Sequence, residues 1–132
     1  MHILSAGTRE NLAWKRDTDA PEFVAGDIRD VQLVRELAAG GDCVFHQAAV
    51  ASVPRSVDDP LGTNQHSLDG TLAVLQAARE ARARRMVLAS SSAVYGESDR
   101  PAKTEDDLPD PPSPYALQKH AGERYAQLFT RL

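Results

Sequence analysis

Tyr115 and Lys119 stand four residues apart in SPYALQKH, the segment from Ser113 to His120. On a helix, positions i and i+4 share a face, which places an ammonium beside a phenol. That pairing suits general base catalysis. The cation favours phenolate, and phenolate can take the proton of a substrate hydroxyl. The same spacing also suits a tyrosine ring lying over a lysine stem, with no chemistry at all. The catalytic reading needs a second hydrogen-bonding group near the reacting oxygen. Ser90, Ser91 and Ser92 offer one, because they follow the apolar run MVLA and so stand at the carboxyl end of an expected strand. Serines there can also simply end a strand by bonding backbone groups. HQAAVAS, from His46 to Ser52, closes the preceding apolar run in the same way. Three segments therefore meet at the carboxyl edge of one sheet, where open α/β folds place their ligand crevices.

The elements that must position them alternate between short extended runs and longer helical ones. EFVAGD reads as a short strand ending in a Gly-Asp turn. DVQLVRELAAGGD follows as a helix capped by Asp30, with Val31, Val34, Leu37 and Ala38 on its inner face and Gly40-Gly41 ending it. CVFHQAA is a nearly continuous apolar strand, as expected when both faces are covered. Between about Asp59 and Arg85 lies a helix with Leu68, Leu72 and Leu75 at helical spacing. MVLASSS is the next buried strand. The last helix is SPYALQKHAGERYAQLFTRL, with Ser113 as cap, Pro114 in its first turn, and Leu117, Ala121, Tyr125, Leu128 and Leu132 as its apolar face. Strand and helix in alternation predict a parallel sheet with flanking helices, an α/β fold in one domain over residues 1–132. The proline-rich stretch from Gly96 to Ser113 is a long loop at the crevice edge, a usual place for function.

Bulk properties remove several classes. The 132 residues carry a net charge of −4, which argues against nucleic acid, and the REARARRM run sits where a helix end solvates cations. Cys43 is the only cysteine, so no disulfide framework exists and a reducing, cytoplasmic setting is expected. No apolar run reaches membrane-spanning length, and no secretory signal is recognisable. His2, His66 and His120 show no metal-ligand spacing with Cys43 or with each other, so no metal site is expected.

Four segments, GDIRD (Gly26 to Asp30), HQAAVASVPRSVDDP (His46 to Pro60), SSSAVYGE (Ser90 to Glu97) and SPYALQKHAGE (Ser113 to Glu123), occur in an order and at spacings that resemble the extended short-chain dehydrogenase/reductase family. The resemblance is to its NAD-dependent nucleotide-sugar epimerases, typified by UDP-glucose and UDP-N-acetylglucosamine 4-epimerases. It implies epimerisation at C4 of a UDP-sugar through a transient 4-keto intermediate. Tyr115 would be the base for the sugar 4-hydroxyl. Lys119 would hold the nicotinamide ribose and favour phenolate, and Ser91 would bond the same sugar oxygen. Asp27 and Ile28 match positions at the adenine end of NAD. Gln47, Ala48 and Ala49 match the strand end along which the dinucleotide lies, and Ser67 aligns with a cofactor-side helix asparagine. Ser52 and Ser92 match positions near the hexose. The family's dehydratases carry an acidic pair after the catalytic Ser or Thr; here Ser92 and Ala93 stand there, which favours the epimerase. The resemblance also implies a homodimer through the helices near Leu68–Ala81 and Tyr115–Phe129.

The departures from the family generate expectations of their own. MHILSAGTRENL resembles the stretch after the family's second strand, with His2 in the place of its ribose-binding acid. On that alignment the chain is a partial Rossmann-like domain. It lacks the first strand, the Gly-rich phosphate loop and the first helix, roughly 30 residues, and it also lacks the later substrate lobe. Since that loop supplies the pyrophosphate site, weakened NAD binding and impaired epimerase turnover are expected of this chain. Two alternatives stay open: a non-catalytic remnant or dimerising module that does not bind NAD, and a nucleotide-sugar dehydratase.

Overall fold

The computed structural model describes residues 1, 7–14, 18, 21–97 and 102–132. His2, matched above to a ribose-binding position, lies outside them. Two strands, β1 (Cys43–His46) and β2 (Arg85–Leu88), pair in parallel with Cys43 opposite Arg85 and His46 opposite Leu88. Among the described residues, five α-helices accompany them: α1 (Val31–Ala38), α2 (Val53–Asp58), α3 (Pro60–Asn64), α4 (Gly70–Glu80) and α5 (Pro114–Phe129). A parallel sheet flanked by helices is the α/β arrangement that the alternation of elements predicts.

Local signals set the helix starts as expected. The Asp30 carboxylate accepts from Leu33 N at 3.1 Å and opens α1. The Ser113 hydroxyl accepts from Ala116 N at 3.2 Å ahead of Pro114 and opens α5. Gly40, at φ 74°, takes the left-handed conformation that ends α1. Glu22–Asp27 is not a strand; it makes a single bridge, at Ala25. Asp27 turns the chain at once, since its carbonyl accepts from Asp30 N at 3.0 Å and its carboxylate from Arg29 N at 2.9 Å. That turn closes the extended run two residues after the bridge.

The core forms on one side of the sheet. Ile28, Val34, Val74 and Ala77 are its buried centre, with Ala38, Val44 and Met86 packed against it. Alternation along the strands explains the choice: Val44, His46, Met86 and Leu88 face the helices, and Cys43, Phe45, Arg85 and Val87 face away. Phe45 is 69% exposed and Val87 37%, so the strands are not the doubly covered ones that their apolar sequences predict. Cys43 and Arg85 on that second face are exposed too. The same correction applies to α1, where Val34 is buried but Val31 and Leu37 remain exposed. An ion pair from Arg35 to Glu80 at 2.8 Å joins α1 to the end of α4, an exposed contact that solvent screens.

The helical stretch expected between Asp59 and Arg85 is broken into pieces. Asp59 caps α3 by accepting from Gly62 N at 2.9 Å. A π turn over Gln65–Asp69 then inserts before α4 begins. Leu75 is buried on α4, and Leu68 and Leu72 are half-buried, Leu68 within the π turn itself. The largest departure concerns α5. Of its predicted apolar face, Leu117, Tyr125, Leu128 and Leu132 are exposed and Ala121 is half-buried, while Ala116, Gln118, Lys119 and Gly122 are buried. Small residues decide this. A β-carbon at Gly122 would stand 3.6 Å from Thr71 Cγ2 and 3.7 Å from Leu88 Cδ2, so α5 lies close on both α4 and β2.

Candidate active site

The carboxyl ends of both strands lie under α5. Beyond β2 the ladder continues for one bond, Ala89 N to the His46 carbonyl at 3.0 Å. The Ala89 carbonyl then accepts from Lys119 Nζ at 2.8 Å. Lys119 is 8% exposed, and its burial holds the ammonium pKa below the ordinary lysine value. An ammonium has three donors, and a single carbonyl leaves two of them for a ligand. One turn earlier on the same helix stands Tyr115, half-buried. Among the described residues its hydroxyl has no hydrogen-bond partner.

Ser91 begins a 3-10 turn, Ser92–Tyr95, that packs against α5. Its Oγ accepts from Ala93 N at 3.2 Å. Capping uses a lone pair only, so the hydroxyl proton stays available to an oxygen in the crevice. Ser90 donates instead to the Glu123 carboxylate on α5. Lys119 and Glu123, four residues apart, therefore grip consecutive residues of the strand end, and Ser91 is presented just beyond them. Ser92 is exposed in the turn.

His46 is the residue whose role the sequence concealed. It is 4% exposed at the end of β1, and its Nε2 lies 2.8 Å from Thr71 Oγ1. Thr71 donates its own proton to the Ser67 carbonyl at 2.6 Å, so it can only accept from His46. The proton therefore sits on Nε2. Burial, helped by the Lys119 charge, lowers the imidazole pKa to about 4. A neutral histidine beneath Lys119 avoids a second buried cation in the same place. Only its position at a strand end was visible beforehand, which many packing histidines share.

The remaining candidates fall into two groups. Gln47 and Ala48 are exposed and Ala49 half-buried as the chain leaves β1. Val50 N then donates to Ser67 Oγ at 3.4 Å, which pins this segment to the π turn, so Ser67 is occupied with backbone. Ser52 accepts from Arg55 N at 3.3 Å and caps α2. Asp27 and Ile28 lie apart from Tyr115, at the entry to α1. Asp27 Oδ2 accepts from Arg29 Nε at 3.0 Å and Nη2 at 2.7 Å, and these bonds hold its carboxyl pKa below the ordinary value. Ile28 packs into the core, so close to the π turn that a β-carbon at Gly70 would come within 2.4 Å of its Cδ1. A cleft of about 270 Å³ opens beside them, lined by Arg29, Val31, Gln65, Asp69, Gly70 and Ala73. Among the described residues no group of three or more metal-ligating side chains gathers, and no helix is long and apolar enough to cross a membrane.

Comparison with known proteins gives this arrangement a family. The profile of the NAD dependent epimerase/dehydratase family matches residues 1–132. The chain belongs to that family. Among curated epimerase/dehydratase relatives, the UDP-glucose 4-epimerase of Mycolicibacterium smegmatis is 41% identical over 131 residues, covering 98% of this chain and 42% of the relative. A UDP-N-acetylglucosamine 4-epimerase from Methanobrevibacter ruminantium M1, solved with UDP-N-acetylmuramic acid, superposes with a TM-score of 0.89 at 36% identity, covering 98% of this chain and 41% of that one. The dTDP-glucose 4,6-dehydratase DesIV of Streptomyces venezuelae, solved with NAD bound, superposes with a TM-score of 0.86 at 36% identity, over 95% of this chain and 39% of that one. This epimerase/dehydratase chain thus spans about two fifths of the length of its relatives. The Rossmann-like character expected of its parallel sheet is shared with those structures.

Proposed function

We propose that this chain carries the catalytic Ser-Tyr-Lys segment of an NAD-dependent nucleotide-sugar 4-epimerase acting on a UDP-hexose. The carrying observation is Lys119, a buried cation tied to the Ala89 carbonyl one turn from an unengaged Tyr115 hydroxyl. The donor set fits the cofactor. Lys119 keeps two donors suited to a ribose diol, and Tyr115 lies on the same helix face. When bound, NAD supplies the acceptor and donor of the hydride at the sugar carbon. The chain's own residues do the rest. Tyr115 takes the proton of the sugar 4-hydroxyl as general base. The Ser91 hydroxyl donates to that same oxygen, and Lys119 positions the ribose. Ser52 and Ser92 lie on the hexose side; Gln47, Ala48 and Ala49 line the dinucleotide path. Ser92 and Ala93, in place of an acidic pair, support epimerase over dehydratase.

A second reading is favoured by the sheet face carrying Phe45 and Val87, which is open among the described residues, and by the Asp27–Arg29 pair, which competes for an adenine-side group. On that reading the chain binds no NAD. Calorimetric titration of NAD+ into the purified chain, followed by assay of UDP-glucose for its C4 epimer, separates the two. Binding at micromolar strength with turnover would support the enzymatic reading; absence of both would sink it.

The exposed stripe on α5 supports a homodimer built with the Leu68–Ala81 region. Leu117, Ala121, Tyr125 and Leu128 lie on one side of the helix, and Leu117 and Leu128 are 56% and 48% exposed. Leu128→Glu places a charge in that stripe. In sedimentation equilibrium the parent chain should weigh as a dimer and the variant as a monomer. A monomeric parent would remove the proposal.

A further inference from the structure

We infer that Ser56, on α2, is a positioning residue for Tyr115; the inference rests on the reading of Tyr115 as the base. Ser56 is 0% exposed. Its hydroxyl donates to the Val53 carbonyl at 2.7 Å, an ordinary local bond within a helix. The second bond is not local: Ser56 Oγ accepts from Tyr115 N at 3.0 Å, across 59 residues of sequence. The first turn of any helix has amides with no acceptor in that helix. On α5, Pro114 has no amide proton, and Ser113 Oγ takes the Ala116 amide. The amide left over belongs to the residue that bears the phenol, and α2 supplies its acceptor.

A parallel contact lies one turn further along. Gln118 Nε2 donates to Thr63 Oγ1 at 3.2 Å, and Thr63 is 1% exposed. The α2–α3 pair thus meets α5 through two buried hydroxyls, one at Tyr115 and one beside Lys119. Among the described residues Gln118 Oε1 is left without a partner. Such a group opposes burial, so this seam is not explained by apolar packing alone. Its consequence is geometric. Ser52 caps the same α2 that holds Tyr115, so the hexose-side segment and the base are tied to one helix. A displacement of about 1 Å at a reacting group can cost about a hundredfold in rate.

Ser56→Ala and Ser56→Thr test this on the whole chain, read by amide hydrogen exchange and by steady-state kinetics on UDP-glucose with NAD+. In Ser56→Ala the Tyr115 amide should exchange about tenfold faster, with the Tyr95 and Tyr125 amides unchanged. The value of kcat should fall about tenfold or more with KM within about twofold. Ser56→Thr keeps the hydroxyl and should restore both. Equal acceleration along all of α5, or a fall in kcat that Thr does not recover, would overturn the positioning role. A parent chain with no turnover would overturn the reading of Tyr115 as base, and the Tyr115-specific exchange would then mark Ser56 as a purely structural clamp.

Discussion

Tyr115→Phe is expected to lower conversion of UDP-glucose to its C4 epimer by about 10²–10⁴-fold, the usual contribution of a positioned acid or base. The substitution removes one hydroxyl and nothing else. That hydroxyl has no partner among the described residues, and the amide bond to Ser56 does not depend on the side chain. Stability should therefore stay within about 1 kcal/mol of the parent, as for substitutions that break no buried network. Two measurements check this: initial rates at saturating UDP-glucose and NAD+, and a urea unfolding curve. A loss in rate below tenfold would exclude Tyr115 as the base. A large loss in both rate and stability would instead assign the phenol to the fold.

The stability of the chain should fall as pH drops from 6.5 towards 4. His46 has a pKa of about 4 in the folded chain, against an ordinary value of 6.5, with burial the larger cause and the Lys119 charge the smaller. The unfolded chain thus takes up its proton first, and the folded state loses ground across that window. Above pH 6.5 the imidazole is neutral in both states and the difference disappears. A shift of this size corresponds to about 2–3 kcal/mol by pH 4.5. Asp27 and Glu80, whose pKa values are lowered by their arginine and glutamine partners, add their losses only at lower pH. Urea unfolding at pH 7.5 and 4.5 reads the difference directly. His46→Gln keeps a donor for Thr71 but does not titrate, and it should remove most of the loss. An unchanged pH dependence in that variant would clear His46 of the effect. Function is linked to the same proton, because a charged His46 would place two cations under the strand end that Lys119 holds.

What the amino-acid sequence determined by itself is local in reach. Asp30 and Ser113 cap helices as side chains that bond an amide three residues on, a geometry contained in four consecutive residues. Gly40 ends α1 because only glycine adopts a positive φ without strain. The strand ends with their serines, and Tyr115 and Lys119 on one helix face, were legible for the same reason: period and spacing need no partner. Tertiary structure decided which surfaces meet. Hydrophobic spacing favoured Leu117, Tyr125 and Leu128 as the inner face of α5, yet Gly122 sets α5 close to β2 and α4, and Ala116 is fully buried. Gln118 and Lys119 could be buried there because Thr63 and Ala89 stood ready to bond them. The clamp from Ser56 and the tautomer of His46 were likewise invisible, since each depends on a group 59 or 25 residues away. A side chain's own chemistry announces what it can bond, and only the packed chain supplies the partner.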